Sequence, residues 1–211
     1  MSKVLKTSYI IPDLKVVREA VNTIMECKLV VGATDTLYGI FANPFQYECV
    51  ERVYIVKKRT RKPIPLLADS IDSIIEHVVV DNKIIKFLEM IGYGPVTIIL
   101  KLDHRSKIAE NIHLKTFKVG FRIPASQLVR LIAKEVGGLV TGTSANISGL
   151  KPARTVNEAF SQFGDSVDLY IDSGYSPLGV GSTVIDLTEG FKVIRYGVVN
   201  PKVLKKLYEI I

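Results

Sequence analysis

The chain has 211 residues, 47% of them hydrophobic and 23% charged, and 28 basic against 21 acidic side chains give a net charge of +7. This composition is that of a globular protein with a sizeable core, and the positive charge favours an anionic partner. No apolar run is long enough to span a membrane and the N-terminus has no signal-peptide core, so we expect a cytoplasmic protein without membrane attachment.

The two cysteines, Cys27 and Cys49, lie in helical patterns beside apolar neighbours. We therefore expect buried thiols rather than a disulfide or a metal pair, which agrees with a reducing compartment. The three histidines have no metal-ligand spacing, and we predict no protein-bound metal site.

In the first half of the chain the apolar spacing predicts a helix over 14–27, with Asp13 as its N-cap. A buried strand at 29–31 follows, and then a helix over 46–58 that ends with Lys57 on its inner stripe. Short helices are predicted at 70–77 and 82–91.

In the second half, strands are predicted at 96–102 and 119–123, with Arg122 on the opposite face from its apolar neighbours. The remaining predicted elements, in chain order, are a helix at 126–136, the end of a strand at 139–140, a helix that begins at the capping box 155–158 and reaches 163, strands at 169–172, 183–187 and 192–194, and a helix after Pro201. Helices and strands alternate without a linker or a repeat. This predicts one α/β domain over residues 1–211, built on a twisted mixed sheet flanked by helices.

The stretch 141–149 crowds four hydroxyls, one amide and two glycines into nine residues after a strand. Such a loop can offer small donors and bare N–H groups to an anion at a sheet edge. A polar turn before a helix would have the same composition, so both interpretations stand.

Two further segments could hold a polar ligand. Residues 34–39 place hydroxyls and a carboxylate after the first strand, although a strand-to-helix turn is the alternative. Residues 57–62 hold five cations in six positions, which suits phosphate binding, while a solvated helix C-terminus is the alternative.

The last candidates are Arg122, the segment 179–183 and Arg195. Arg122 suggests a polar pocket on its strand face, and paired glycines with hydroxyls at 179–183 allow a ligand to approach the backbone closely. Solvent-facing arginines and a hairpin turn are the alternatives. No residue pattern supports a nucleophile triad, so the inventory favours electrostatic binding of phosphate and carboxylate.

Taken in order, these segments resemble the YrdC-like family of threonylcarbamoyl-adenylate synthases. The matching segments are Thr34–Gly39, Lys57-x-Arg59, Gly94–Thr97, Arg122–Pro124, Ser144-Ala145-Asn146-x-Ser148-Gly149, Ser182–Val184 and Arg195-x-Gly197. The resemblance covers about residues 30–197. It implies an α/β domain with a large basic concave cleft.

The resemblance also implies an activity, in which L-threonine, bicarbonate or CO2, and ATP give threonylcarbamoyl-AMP and pyrophosphate, with Mg2+ accompanying the triphosphate. A separate threonylcarbamoyl-transferase complex then modifies an adenosine of tRNA. A catalytic role is implied for four residues: Lys57, Arg59, Ser144 and Asn146. ATP binding is implied for those four together with Lys62 and Arg195. Binding of L-threonine is implied for Thr36, Arg122, Gly142 and Ser182.

The sequence departs from the family pattern at several positions. Asp35 replaces Glu, one residue is missing after Arg59, and a threonine-contacting His has no counterpart near residues 66–69. The chain also ends soon after Arg195-x-Gly197, so we expect the short form without a further C-terminal domain. Two alternatives therefore stay open: a module that binds tRNA or double-stranded RNA without catalysis, and a paralogue that uses another carbamoyl donor or amino acid.

Overall fold

A computed structural model describes residues 2–211. Its strands are β1 (Lys3–Lys6), β2 (Val30–Ala33), β3 (Tyr38–Phe41), β4 (Leu66–Ala68), β5 (Val96–Lys101), β6 (Lys118–Arg122), β7 (Leu139–Thr141), β8 (Thr143–Ser144), β9 (Leu169–Asp172), β10 (Thr183–Asp186) and β11 (Lys192–Arg195). Its helices are α1 (Leu14–Met25), α2 (Tyr47–Val56), α3 (Asp72–Ile75), α4 (Asn82–Ile91), α5 (Glu110–His113), α6 (Gln127–Val136), α7 (Val156–Phe163) and α8 (Pro201–Glu209), with a 3-10 turn at Gly164–Ser166.

The predicted α/β class is confirmed, but the expectation of one sheet is wrong because the strands form two mixed sheets. The first has the order β1-β9-β2-β3-β8 and the second the order β11-β10-β5-β6-β4-β7. Most of these strands are only three or four residues long, so their partners are set by tertiary packing and not by their own pattern.

The chain crosses from the second sheet to the first at Gly142, between β7 and β8. Its N–H donates to the carbonyl of Pro65 at 2.7 Å, and a Cβ built on Gly142 would lie 2.5 Å from Cγ of Leu67. Only glycine leaves enough room for this close passage, so the crossing depends on a residue without a side chain.

The helix N-caps predicted from the sequence are confirmed. Asp13 caps α1 by accepting from the N–H of Lys15, and Thr155 caps α7 by accepting from Glu158. Two buried hydrophobic clusters fill the interior. The smaller one joins α1 and α6 to strands β2, β3 and β9 of the first sheet and to β4 and β7 of the second. The larger one includes the inner stripe of α2. Among residues 2–211, no helix is long and apolar enough to cross a membrane.

The segment 34–39 is not the strand-to-helix turn offered as one alternative, because Tyr38 and Gly39 begin β3, which runs antiparallel to β2. The hydroxyl and the N–H of Thr34 both donate to the carbonyl of Leu37 and close a tight hairpin. The segment 141–149 is likewise not a turn before a helix, since β8 follows directly and the next helix begins at Val156. Tertiary pairing decided both cases.

The expectation of two buried thiols is wrong, because Cys27 and Cys49 form a disulfide. Cys27 does not belong to a helix: it lies in the turn after α1, with a φ of 57°. That turn brings the two Cα atoms to 4.6 Å, and Cys27 stays partly exposed while Cys49 is buried. The cysteine content therefore gives no support for a reducing compartment.

Candidate functional site

A cavity of about 640 Å3 is lined by residues of both sheets. The first sheet contributes β3 and β8, and the second contributes one face of β5, β6 and β10 together with Leu67 of β4 and Arg195 of β11. Its volume lies in the range of small-molecule and nucleotide sites. Four basic side chains line it, together with the carboxylate of Asp186; these are Arg59, Lys118, Arg122 and Arg195.

Arg122 lines the cavity, held by the hairpin between β2 and β3. Its guanidinium donates to Thr36 Oγ1 at 2.8 Å and to Thr34 Oγ1 at 3.2 Å, and it forms an ion pair with Asp35. Burial lowers the pKa of Arg122, and the adjacent Asp35 carboxylate counteracts that effect. Nε of Arg122 and Oδ2 of Asp35 are buried without a partner. The guanidinium is thus fixed in place and keeps hydrogen-bonding capacity to spare.

Ser182 and Thr97 form a hydroxyl pair beside Arg122, with 2.8 Å between their oxygens. Arg195 donates to Ser182 Oγ at 3.0 Å and to the Ser182 carbonyl through two nitrogens. Burial lowers the pKa of Arg195. Arg195 is therefore held by Ser182, whereas Arg122 is held by the hairpin between β2 and β3.

Arg59 lines the cavity from the segment that follows α2. Its guanidinium donates to the Pro63 carbonyl at 3.2 Å, while its buried Nε has no partner. Burial lowers the pKa of Arg59. Ser144 lines the cavity from β8 and donates its hydroxyl to Asn146 Oδ1 at 2.6 Å. An arginine and a serine from distant parts of the chain therefore share one cavity.

Lys57 and Asn146, which the sequence grouped with Arg59 and Ser144, lie outside the cavity lining. The Lys57 side chain is 1% exposed, and its ammonium donates to the carbonyls of Ser144 and, at 2.7 Å, Asn146. Asn146 Nδ2 donates to the carbonyls of Ile147 and Leu150, each at 2.9 Å. The side chains of Lys57 and Asn146 therefore hold the loop after β8 in place without lining the cavity. Burial and the nearby Arg59 charge lower the pKa of Lys57 to about 7.

The structure does not bring Lys62 into the cavity wall. Its side chain is exposed, and its carbonyl accepts from the Tyr54 hydroxyl at 2.8 Å. Gly142, Thr36 and Ser182 do line the cavity as the resemblance implies.

Sequence reasoning missed Lys118, Ile99 and Asp186, all of which line the cavity. Lys118 could have been found, because it lies four residues before Arg122 in the same strand and therefore on the same face. Asp186 and Ile99 carry no comparable local signal. Both residues line the cavity because β10 pairs parallel with β5 in the register that places Asp186 beside Ile99.

Among the residues that the structure describes, no group of three or more His, Cys, Asp or Glu side chains could hold a metal ion. The Asp186 carboxylate lines the cavity, and its Oδ1 accepts from the N–H and the hydroxyl of Thr188. Mg2+ bound to a nucleotide takes most of its ligands from phosphate oxygens and water and needs only one or two protein carboxylates. The wall is therefore compatible with Mg2+ that arrives with a nucleotide.

Gly197 provides a test of how this wall is built. A Cβ at Gly197 would lie 2.3 Å from backbone atoms of Ser182 and Thr183, whereas one at Gly181 would lie no closer than 3.5 Å to any atom. We expect Gly197→Ala to lower the free energy of unfolding in urea by about 3 kcal/mol. The added methyl group would clash with backbone atoms, which cannot rotate away as a side chain can. Gly181→Ala is the matched control and should cost under about 1 kcal/mol. Equal effects of the two variants would contradict the close approach.

Two mixed sheets around one large cavity with four basic side chains in its wall define the class of this protein. A sequence model of the Sua5/YciO/YrdC family, described as "Telomere recombination", matches residues 22–197. The chain belongs to the Sua5/YciO/YrdC family, as the motifs of the sequence predicted.

Named relatives support this membership. A Methanocaldococcus jannaschii protein with a provisional name as a threonylcarbamoyl-AMP synthase is 33% identical over 187 residues, 88% of this chain and 87% of that protein. The threonylcarbamoyl-AMP synthase of Bos taurus is 30% identical over 195 residues, 87% of this chain and 67% of that protein.

Solved structures of Pyrococcus abyssi Sua5 share the fold. A doubly substituted variant superposes with a TM-score of 0.90 at 26% identity, covering 98% of this chain and 60% of that chain. A complex of the same protein with L-threonine has a TM-score of 0.91 at 24% identity, covering 98% and 61%. The chain thus spans about three fifths of the length of P. abyssi Sua5.

Proposed function

We propose that this protein is a threonylcarbamoyl-AMP synthase, which condenses L-threonine, bicarbonate or CO2, and ATP into threonylcarbamoyl-AMP and pyrophosphate. The observation that carries the proposal is that six residues implicated by separate motifs line one cavity; they are Thr36, Arg59, Arg122, Ser144, Ser182 and Arg195. The names of the M. jannaschii and B. taurus relatives agree with this activity.

We assign L-threonine to the part of the cavity that Arg122 lines. A carboxylate there would take hydrogen bonds from the guanidinium, whose orientation is fixed by Thr34, Asp35 and Thr36. The hydroxyl pair of Thr97 and Ser182 would receive the polar groups of the amino acid. A fixed arginine fork is well suited to a planar carboxylate and loses little entropy on binding.

We assign the triphosphate to Arg59, Ser144 and Arg195. Arg59 retains an unpartnered buried Nε, and phosphate oxygens are acceptors that would satisfy it. Lys57 and Asn146 would act as positioning residues, since they hold the loop that carries Ser144 without facing the cavity. The exposed Lys62 would assist only by adding to the positive charge of the segment that carries Arg59.

The chemistry needs little covalent help from the protein. The amino group of threonine adds to CO2 with loss of a proton, or to bicarbonate with loss of water, to form a carbamate. A carbamate oxygen then attacks the α-phosphorus of ATP, and the bond to the bridging oxygen breaks, so that pyrophosphate leaves. Negative charge grows on phosphoryl oxygens during this step. Preplaced cations and N–H donors therefore stabilise the transition state, and holding the two substrates together removes an entropic cost.

We propose Mg2+ as the companion of ATP, where it would neutralise phosphate charge and ease the departure of pyrophosphate. Asp186 is the residue of the cavity wall that could contact it directly or through water. Residues 1–211 would act as one domain in this role, in the cytoplasm where tRNA is modified.

The direct test is pyrophosphate release from ATP and Mg2+ by the purified protein, with L-threonine and bicarbonate each omitted in turn. We expect release only with both present, and threonylcarbamoyl-AMP detectable by mass spectrometry. Replacing bicarbonate by carbamoyl phosphate, or threonine by serine or glycine, tests the paralogue alternative. Release that requires neither threonine nor bicarbonate would contradict the proposal.

Arg122→Lys is expected to raise the KM for L-threonine at least tenfold and to change the KM for ATP less than threefold. Lysine keeps the charge beside Asp35 but loses the fork that the two threonine hydroxyls orient. Arg130→Lys is the matched control, because Arg130 contacts Tyr93 and the Pro124 carbonyl away from the cavity. A larger effect on ATP than on threonine would place the amino acid elsewhere.

We further propose that a separate threonylcarbamoyl transferase consumes the product, since the adenylate is an activated mixed anhydride. Contact with tRNA or double-stranded RNA is a second proposal, supported by the net charge of +7. Titration with tRNA at increasing salt tests it, because phosphate-mediated binding weakens steeply with ionic strength. Salt-independent binding, or none at low salt, would exclude an electrostatic RNA surface.

A further inference from the structure

The disulfide between Cys27 and Cys49 lies away from the cavity and plays no part in the proposed reaction. It joins the turn after α1 to the first turn of α2. The two sulfur atoms differ in access, because Cys27 is partly exposed while Cys49 is fully buried. An attacking thiol in solvent can therefore approach only one of the two.

We propose that this pair is a reversible thiol–disulfide exchange site for small thiols of the glutathione class. In reduction, a glutathione thiolate attacks Sγ of Cys27, the Cys27–Cys49 bond breaks, and Cys49 leaves as a thiolate. A second glutathione thiolate attacks the mixed disulfide at its glutathione sulfur and releases Cys27 as a thiolate, so that two thiols and one oxidised glutathione result. Oxidation by oxidised glutathione follows the same steps in reverse.

The leaving group is placed to depart readily. Cys49 is the third residue of the ten-residue helix α2, where unpaired N–H groups and the helix dipole stabilise a thiolate. We therefore expect glutathione to bond to the sulfur of Cys27 and Cys49 to be the sulfur that leaves.

Contacts other than the disulfide keep the pair together after reduction. Arg52 of α2 donates to the Cys27 carbonyl at 2.9 Å and forms an ion pair with Asp168 at 3.0 Å. Gln46 Oε1 lies 3.0 Å from Sγ of Cys27 and 3.4 Å from Sγ of Cys49, where it can accept from either S–H. The reduced pair would thus stay aligned for reoxidation.

Oxidation would strengthen the attachment of α2, the helix that leads into Lys57 and Arg59. Because the bond closes a loop with a sequence separation of 22 residues, its reduction should lower the Tm by roughly 5–10 °C. The reduced protein should remain folded, because the Arg52 contacts persist.

The test equilibrates the native protein with defined ratios of reduced to oxidised glutathione, then counts free thiols by maleimide labelling and mass spectrometry. We expect a two-thiol step between the reduced and oxidised forms, accompanied by the Tm shift. In Cys49→Ser, Cys27 should gain one glutathionyl group at least tenfold faster than Cys49 does in Cys27→Ser. In denaturant the two variants should react at similar rates, which controls for intrinsic reactivity.

Two outcomes would overturn the proposal. One is that both thiols of the native protein stay free at all glutathione ratios. The other is that the two single variants react equally fast in the native state. Activity plays no part in the readout, so the result is independent of the function proposed above.

Discussion

Arg59→Ala is expected to lower kcat/KM for ATP in threonine-dependent pyrophosphate release by about 100-fold, with the fold intact. The Arg59 guanidinium lines the cavity with an unpartnered buried Nε, so its loss removes a donor aimed at developing phosphate charge. Removing one such preorganised donor typically costs about 10²–10³ in rate. The measurement is steady-state kinetics over ATP concentration, with far-ultraviolet circular dichroism to check folding.

Arg61→Ala is the matched control for this prediction. Arg61 lies two residues further on, exposed and paired with Glu51 in two hydrogen bonds. An exposed ion pair of this kind contributes about 0–1 kcal/mol to stability, so we expect activity within twofold of the unsubstituted protein. If Arg61→Ala were as damaging as Arg59→Ala, the cluster would act through its overall charge and not through a residue in the cavity.

Lys57→Met is expected to reduce kcat by roughly 10- to 100-fold through the loop that carries Ser144. Methionine fills similar space but leaves the carbonyls of Ser144 and Asn146 without their buried donor. The loop would then sample other positions, and a displacement of about 1 Å near the reacting atoms can cost about 100-fold. Lys58→Met, at the exposed neighbouring position, should change kcat less than twofold.

The same substitution tests the charge of Lys57 through the pH dependence of stability. Burial lowers its pKa in the folded protein to about 7 from the ordinary value of 10.5. Between these two pH values the unfolded chain holds more protons at this position, so the free energy of unfolding rises with pH, by at most about 1.4 kcal/mol per unit. Below pH 7 both states are protonated and the contribution becomes constant.

The measurement is urea denaturation of both proteins from pH 6 to pH 10. The free energy of unfolding of the unsubstituted protein minus that of Lys57→Met should stay constant from pH 6 to about pH 7 and rise from there to pH 10. A difference that does not change with pH would mean that Lys57 keeps its full charge when buried, neutralised by the loop carbonyls.

The expected helices were found because their signals are local. Asp13, Thr155 and Gly92 mark helix ends by hydrogen bonds or backbone freedom that need no distant partner. The strands β3, β4 and β8 were missed or taken for loops. They have two to four residues each, and partners far along the chain complete their hydrogen bonds.

For the candidate site, too, some residues were found from local patterns and others depended on tertiary contacts. Motif order pointed to Arg59, Arg122, Ser144 and Arg195, and these line one cavity. The sequence could not separate them from Lys57 and Asn146, because a K-x-R or S-x-N spacing does not say which member faces inward. That depends on the carbonyls that the loop after β8 presents to Lys57.

The sequence by itself determined the α/β class, the main helices and the motifs that mark the Sua5/YciO/YrdC family. It could do so because helix caps, apolar periodicity and motif spacing are properties of neighbouring residues. Only the tertiary structure decided that there are two sheets, that Cys27 meets Cys49, and that Lys57 supports the site from behind. Each of these depends on contacts between segments brought together by folding, which no local pattern encodes.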